Sequence, residues 1–117
     1  MNVEEIREYC LSLSGTTESF PFDDVTLVFK VGTKMYALVS LDGDLAINIK
    51  CDPEVAIELR ERYPTVKPGY HMHKKYWNTV EIEGSIPDNT IRQWILNSYT
   101  IVKSSLPKKV RDLLNDT

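Results

Sequence analysis

The sequence predicts an α+β domain: a mostly antiparallel sheet, a three-stranded meander plus a later strand, with helices on one face. Three observations lead there. Two-residue alternation runs from Thr26 to Cys51, interrupted only at Gly32-Thr33 and Asp42-Gly43. Helical periodicity flanks that block on both sides. The 117 residues fit one domain, residues 1–117.

The first helix is expected over Asn2 to Leu13. Asn2 suits its cap, Glu4 and Glu5 suit its positive end, and Val3, Ile6, Cys10 and Leu13 make one apolar stripe. Gly15 suits the exit. Glu18 to Phe22 reads as a loop or short extended piece, because Pro21 biases Phe20 away from helix; Phe20 and Phe22 are expected to plug a core edge. Thr26 to Val31 then places Leu27, Phe29 and Val31 on one face. Gly32-Thr33 fits a type II′ hairpin turn. Lys34 to Leu41 places Met35, Ala37 and Val39 opposite Tyr36 and Leu38. Asp42-Gly43 fits a type I′ turn, after which Leu45, Ile47 and Ile49 alternate with Ala46, Asn48 and Lys50.

Asp52-Pro53 opens a second helix, with Asp as cap and Pro at the first helical position; Ala56, Leu59 and Tyr63 form its stripe, and it ends before Pro64. Asn78 to Glu83 is a further strand, with Val80 and Ile82 inward. Pro87-Asp88 opens the longest helix, whose apolar face holds Ile91, Trp94, Ile95, Ser98, Ile101 and Val102. A short helix after Pro107 carries Val110, Leu113 and Leu114.

Between Val66 and Val80 the chain gathers both histidines, three lysines, three aromatic residues and a Pro-Gly pair, with no acid among them. A loop that only connects elements does not need this density of rings and cations. The segment is therefore the expected working surface. Its members are Lys67, His71, His73, Lys74 and Lys75, with Tyr70, Tyr76 and Trp77 as rings. Lysines suit phosphates and rings can stack on bases, which points to DNA. Trp77, at the mouth of a strand, reads better as core. Lys30 and Lys34 flank the Gly32-Thr33 tip and make it a second candidate contact, whereas the Asp42-Gly43-Asp44 tip is acidic. Lys108 and Lys109, with Arg111, form a third basic group. Net charge is −3, so any such interface depends on local distribution.

His71 and His73 would share one side of a strand, yet two imidazoles need a third ligand to hold a metal. No cofactor or metal is expected. Cys10 and Cys51 lie far apart with no zinc-like spacing and read as small buried hydrophobes in a reducing compartment. There is no phosphate loop, nucleophile elbow or HExxH, so a non-enzyme is expected. No apolar run nears the ~20 residues that cross a bilayer, and the acidic N-terminus lacks a signal's basic start; a cytoplasmic protein with no membrane partner is expected. The rival to DNA is another protein or a small ligand, held in an aromatic groove between Tyr70, Trp77 and the Phe20/Phe22 loop.

Gly69-Tyr70-His71-Met72, then a lysine, then Trp77-Asn78-Thr79-Val80 resembles the signature of the MmcQ/YjbR family. So do Glu18 with Pro21-Phe22, Phe29-Lys30-Val31 with Lys34-Met35, Ser98-Tyr99, and Leu106-Pro107-Lys108-Lys109. Members often carry Asn where this chain has His73, and His where it has Tyr76. The resemblance implies a CyaY-like (frataxin-like) fold and DNA binding by a double wing of β-hairpins. It also implies, by fold analogy, iron binding on the acidic first helix, at Glu4, Glu5 and Glu8. Those acids read more simply as a solvated face placed well for the helix dipole.

Overall fold

A computed structural model of the chain describes residues 1–115, so Asp116 and Thr117 of the expected 1–117 domain lie outside the described residues. The elements are α1 (Val3–Ser12), β1 (Thr16–Ser19), β2 (Thr26–Val31), β3 (Lys34–Ser40), β4 (Ala46–Lys50), α2 (Pro53–Arg62), β5 (Val66–Pro68), β6 (Trp77–Glu81), α3 (Asp88–Ser104) and α4 (Lys108–Asn115). The strands form one six-stranded antiparallel sheet in the order β1-β2-β3-β4-β6-β5. The class is α+β, and the sheet is larger than the four expected strands. β1 reads Thr-Thr-Glu-Ser and β5 is three residues ending in proline, so neither carries apolar alternation.

Local chemistry sets the helix starts. The Asn2 side chain accepts the Glu5 N–H at 2.8 Å, and the Glu5 carboxylate accepts the Asn2 N–H at 3.1 Å, a reciprocal capping box. Asp52 caps α2 by accepting the Glu54 N–H at 3.0 Å, with Pro53 in the first turn.

The main core lies between the helices and one sheet face. Leu27, Phe29, Val31, Ala37, Val39, Ile47, Ile49 and Val80 meet Ile6 and Cys10 of α1 and Ile91, Ile95, Tyr99 and Val102 of α3. The opposite face carries a separate small cluster: Val28, Leu38 and Trp77, with Met35 and Met72 packed against them. Among the described residues, none from a helix belongs to it.

The expected alternation fails in β3. Phe29 pairs with Ala37 but Lys30 pairs with Met35, so Tyr36 is an extra residue. The irregularity turns Tyr36 into the main core and sends Met35 to the other face, the reverse of the simple pattern. Inside, the Tyr36 hydroxyl donates to the Cys10 carbonyl at 3.2 Å and lies 2.8 Å from Thr16 Oγ1, while its ring meets Tyr99 edge-on at 5.3 Å. Burial pushes the Tyr36 phenol well above its ordinary pKa.

Just beyond the Ala37–Ile49 pair, a side chain completes the β3–β4 ladder. The Ser98 hydroxyl of α3 accepts the Lys50 N–H at 2.8 Å and donates to the Tyr36 carbonyl at 2.6 Å. Ser98 is fully buried.

Three further expectations are corrected. Residues 41–45 form a five-residue connection in which only Gly43 has positive φ; a type I′ turn needs positive φ at Asp42 as well. Phe20 and Phe22 plug nothing, being 49% and 64% exposed. Leu113 is exposed, and of the three expected apolar residues of α4 only Val110 and Leu114 pack against the core.

α1 is tied to β1 by a bidentate pair, Arg7 Nη2 to Glu18 Oε1 at 2.6 Å and Nε to Oε2 at 2.7 Å. That hydrogen bonding holds the Glu18 carboxyl below its ordinary value of 4.5. A folded-state pKa below the unfolded one gives stability that is present above the unfolded value and fades as pH falls.

Two outcomes follow. Ser98→Ala strands two backbone groups and should lower unfolding free energy by about 2–4 kcal/mol, read as a shift in the urea midpoint at unchanged slope. Glu18→Gln should lower the melting temperature at pH 7, and the difference should shrink as pH falls below the ordinary glutamate value and the wild-type carboxylate takes up its proton; a difference undiminished in strong acid would refute the pairing as the cause.

Candidate nucleic-acid interface

The segment singled out in the sequence folds as a loop, residues 69–76, lying back over the open face of the sheet. Gly69 makes this possible: its N–H donates to the Trp77 carbonyl at 2.9 Å, and a Cβ there would fall 2.8 Å from Trp77 Cβ. Met72 then covers Trp77, which is only 8% exposed. The Tyr70 N–H donates to Thr79 Oγ1 at 2.9 Å, and Thr79 in turn bonds the Asn48 side chain. The loop is closed at its far end by the Tyr76 and Trp77 N–H groups, which both donate to the His73 carbonyl at 3.1 and 3.0 Å.

His71 does not sit in a strand. Its φ of 58° is, among the described residues, the one positive value outside glycine. Such a backbone costs a β-carbon residue roughly 1–2 kcal/mol. The turn sets the His71 ring 4.0 Å from Tyr70, while the His73 ring lies 4.9 Å from Tyr76 and its Nδ1 accepts the Lys75 N–H at 3.3 Å. The shared-side geometry expected of His71 and His73 is therefore replaced by two separate ring pairs. Among the described residues there is no group of three or more His, Cys, Asp or Glu side chains that could hold a metal ion.

The lysines divide. Lys75 and Lys50 lie over the Tyr76 ring at 5.6 and 5.9 Å. Lys74 donates its ammonium to the Gly69 carbonyl at 3.1 Å, and its own carbonyl accepts from Arg60 of α2 at 3.1 Å. Lys67 stands higher on β5, ion-paired with Glu81. Lys30 is half-buried on the open face opposite Met35. Lys34 reaches the last turn of α3, 3.4 Å from the Ser105 carbonyl and 3.3 Å from its hydroxyl, where the helix dipole favours a cation. Lys108 and Lys109 open α4, whose Val110 packs with Leu106, just ahead of the helix, beneath the Gly32 turn. Lys103, Lys108 and Arg111 line a polar cleft there with Asp112 and Ser104.

Strand direction explains what these residues share. The Lys30–Lys34 hairpin, the end of β4 at Lys50, the 69–76 loop, the end of α3 and the start of α4 all lie at one end of the sheet. Among the described residues, Asp52, Glu54 and Asp112 are acids that also lie there. The 20–25 and 41–45 loops, the end of β6 and the start of α1 lie at the other end, with Asp23, Asp24, Asp42, Asp44, Glu4 and Glu83. The cations thus converge at an end of the sheet and not on one face, and Lys67 stands apart from them. Sequence reasoning missed Lys50: it alternates with Asn48 like any outward strand residue, and nothing local says that Trp77 and Tyr76 come alongside.

The expected aromatic groove does not form, because Tyr70 and Trp77 belong to the basic end and Phe20 and Phe22 to the acidic one. A groove of about 490 Å³ lies instead between α2 and α3, lined by Val55, Leu59, Trp94 and Ile101 with Lys50 and Cys51 at one side. Burial pushes the Cys51 thiol up to about 11 and the Cys10 thiol up to about 12, so both behave as the small hydrophobes expected.

The comparisons with known proteins say to which family this α+β fold belongs. The YjbR family model matches residues 11–101. The chain is 32% identical to the uncharacterized protein YjbR of Escherichia coli K12 over 115 residues, 97% of this chain and 98% of that one. It is 36% identical to the uncharacterized protein YbdF of Escherichia coli O157:H7, over 91% and 88% of the two chains. The crystal structure of a Deinococcus radiodurans protein with a DUF419 domain superposes with a TM-score of 0.92 at 40% identity, covering 97% of this chain and 88% of that one. The chain belongs to the YjbR family.

Thr79→Val removes both the acceptor for Tyr70 and the donor to Asn48. Losing an anchor of about 1 kcal/mol should speed hydrogen exchange at the Tyr70 amide about fivefold, with amides of β2 and β3 unchanged.

Proposed function

We propose that this chain is a non-enzymatic module that binds DNA weakly, without sequence preference, through the basic end of its sheet. The observation that carries the reading is the sorting of charge along the strands, with lysines from five separate segments at one end and the acidic loops at the other. Neighbouring strands lie about 4.8 Å apart, so a row from β5 to β2 spans about 20 Å, which matches about six phosphates of one DNA strand. Lysines position a backbone and read no bases. In the CyaY-like, double-wing picture, the Gly32-Thr33 tip is the wing that approaches DNA, and the 41–45 loop, with its own Asp42 and Asp44, is the one that does not. His71, His73 and Tyr70 flank the row from the open face.

The α2–α3 groove favours a second reading, in which a small apolar ligand is the partner and DNA is irrelevant. Salt separates the two. If three to five phosphates are neutralised, affinity for a fluorescently labelled duplex should fall about 40- to 500-fold between 50 and 200 mM salt. Lys75→Glu should reduce the logarithmic salt slope by about 1, as should Lys109→Glu, whereas Lys67→Met should change affinity by less than about twofold. Anisotropy that is the same at both salt levels defeats the DNA reading and leaves the groove as the site to pursue.

A further inference from the structure

The acidic end of the sheet carries a feature that DNA binding does not use. Phe20 and Phe22 are 49% and 64% exposed, and Val25 and Leu41 are exposed beside them. The two loops are joined, since the Leu41 N–H donates to the Val25 carbonyl at 2.8 Å. Nor are the phenylalanines exposed for want of structure. Asp23 Oδ1 accepts the Val25 and Thr26 N–H groups at 3.0 and 2.7 Å, and Oδ2 accepts the Thr26 hydroxyl at 3.1 Å. Pro21 stiffens the chain between the two rings. An apolar patch held outward by a built turn and rimmed by Asp23, Asp24, Asp42 and Asp44 is a surface that fits a partner.

Such a partner must offer apolar groups among cations. The opposite end of this same chain does so: Tyr70 is 70% exposed, Tyr76 is exposed beside Lys75, and Lys74 is adjacent. We infer that the Phe20/Phe22/Leu41 end of one molecule docks on the 70–76 loop of a second copy, head to tail. Each patch then meets its opposite in charge and its like in aromatic character. Because the two patches are different and lie at opposite ends, the contact is heterologous and propagates along a row of molecules instead of closing as a two-fold pair. Only two short loops meet a third, so the contact is small and weak, in the range of transient encounters. It stands independently of the DNA reading.

Sedimentation velocity on DNA-free protein tests this across a wide concentration range at low and high salt. The weight-average sedimentation coefficient should rise with concentration at low salt, without a plateau at the dimer, and rise less at high salt. Phe22→Ser and Lys75→Glu, both exposed and both expected to keep the wild-type melting curve, should each weaken association about tenfold. Asp24→Lys/Asp44→Lys should also weaken it, and an equimolar mixture of that variant with Lys75→Glu should regain association that neither shows alone. A monomer at every concentration, a species that stops at the dimer, or association indifferent to Phe22→Ser and Lys75→Glu would each overturn the proposal.

Discussion

The Ser98 hydroxyl is the constraint on which both faces of this sheet depend. The extra residue at Tyr36 breaks the regular pairing of β2 with β3, and the β3–β4 ladder then lacks its next direct bond. A hydroxyl from α3 fills that place, accepting from Lys50 and donating to Tyr36. Two buried backbone groups are satisfied by one side chain, and α3 is fixed in rotation against the sheet. That rotation brings Tyr99 edge-on to Tyr36 and turns Ile91, Ile95 and Val102 inward. The same irregularity swings Met35 outward, where it completes the cluster under Trp77 and Met72. The 69–76 loop therefore rests on a bulge that the helical layer stabilises from the far side of the sheet.

Helix direction accounts for much of the charge sorting. α1 and α3 begin at the acidic end and finish at the basic end, so their positive N-termini hold Glu4, Glu5 and Asp88, and the negative end of α3 holds Lys103 and Lys34. α2 runs the other way. Its start places Asp52 and Glu54 at the basic end, and its last turn carries Arg62 toward the acidic one, while the Arg60 side chain reaches back to the Lys74 carbonyl. Asp52 and Glu54 are thus exceptions that one antiparallel helix requires at its own start, whereas Asp112 of α4 stands outside this account. What remains after the dipoles are satisfied is the loop chemistry: acids in 23–44 and lysines in 74–75.

How much of this was legible depended on range. Caps and starts were readable at Asn2 and Asp52-Pro53, because their partners lie three residues away or fewer. So was the inward set of Leu45, Ile47 and Ile49. The shift at Tyr36 was invisible because β3 is apolar on both faces, so a one-residue slip leaves the pattern unchanged. The edge strands β1 and β5 were missed because polar, short strands carry no periodic signal. At the site, the richness of residues 66–80 was plain, yet the fates of its lysines were not. Lys67 meets Glu81 fourteen positions on, and Lys34 meets Ser105 more than seventy positions on. Such partners are set by topology.

The fate of the rings bears on which part of DNA this surface could engage. Stacking a base is worth about 1–3 kcal/mol, but it needs an open aromatic face. Trp77 is closed by Met72, Tyr70 is held against His71, and Tyr76 lies beneath two ammonium groups. Of the three rings that read in sequence as stacking platforms, Trp77 is therefore spent on internal packing, and Tyr70, 70% exposed, stays open beside Lys74 and Lys75. What the segment presents outward is mainly positive charge with one open ring. A surface of that kind discriminates poorly among bases and responds to the density of phosphates, which is why the proposal is for backbone contact and why salt, more than sequence, is the variable that probes it.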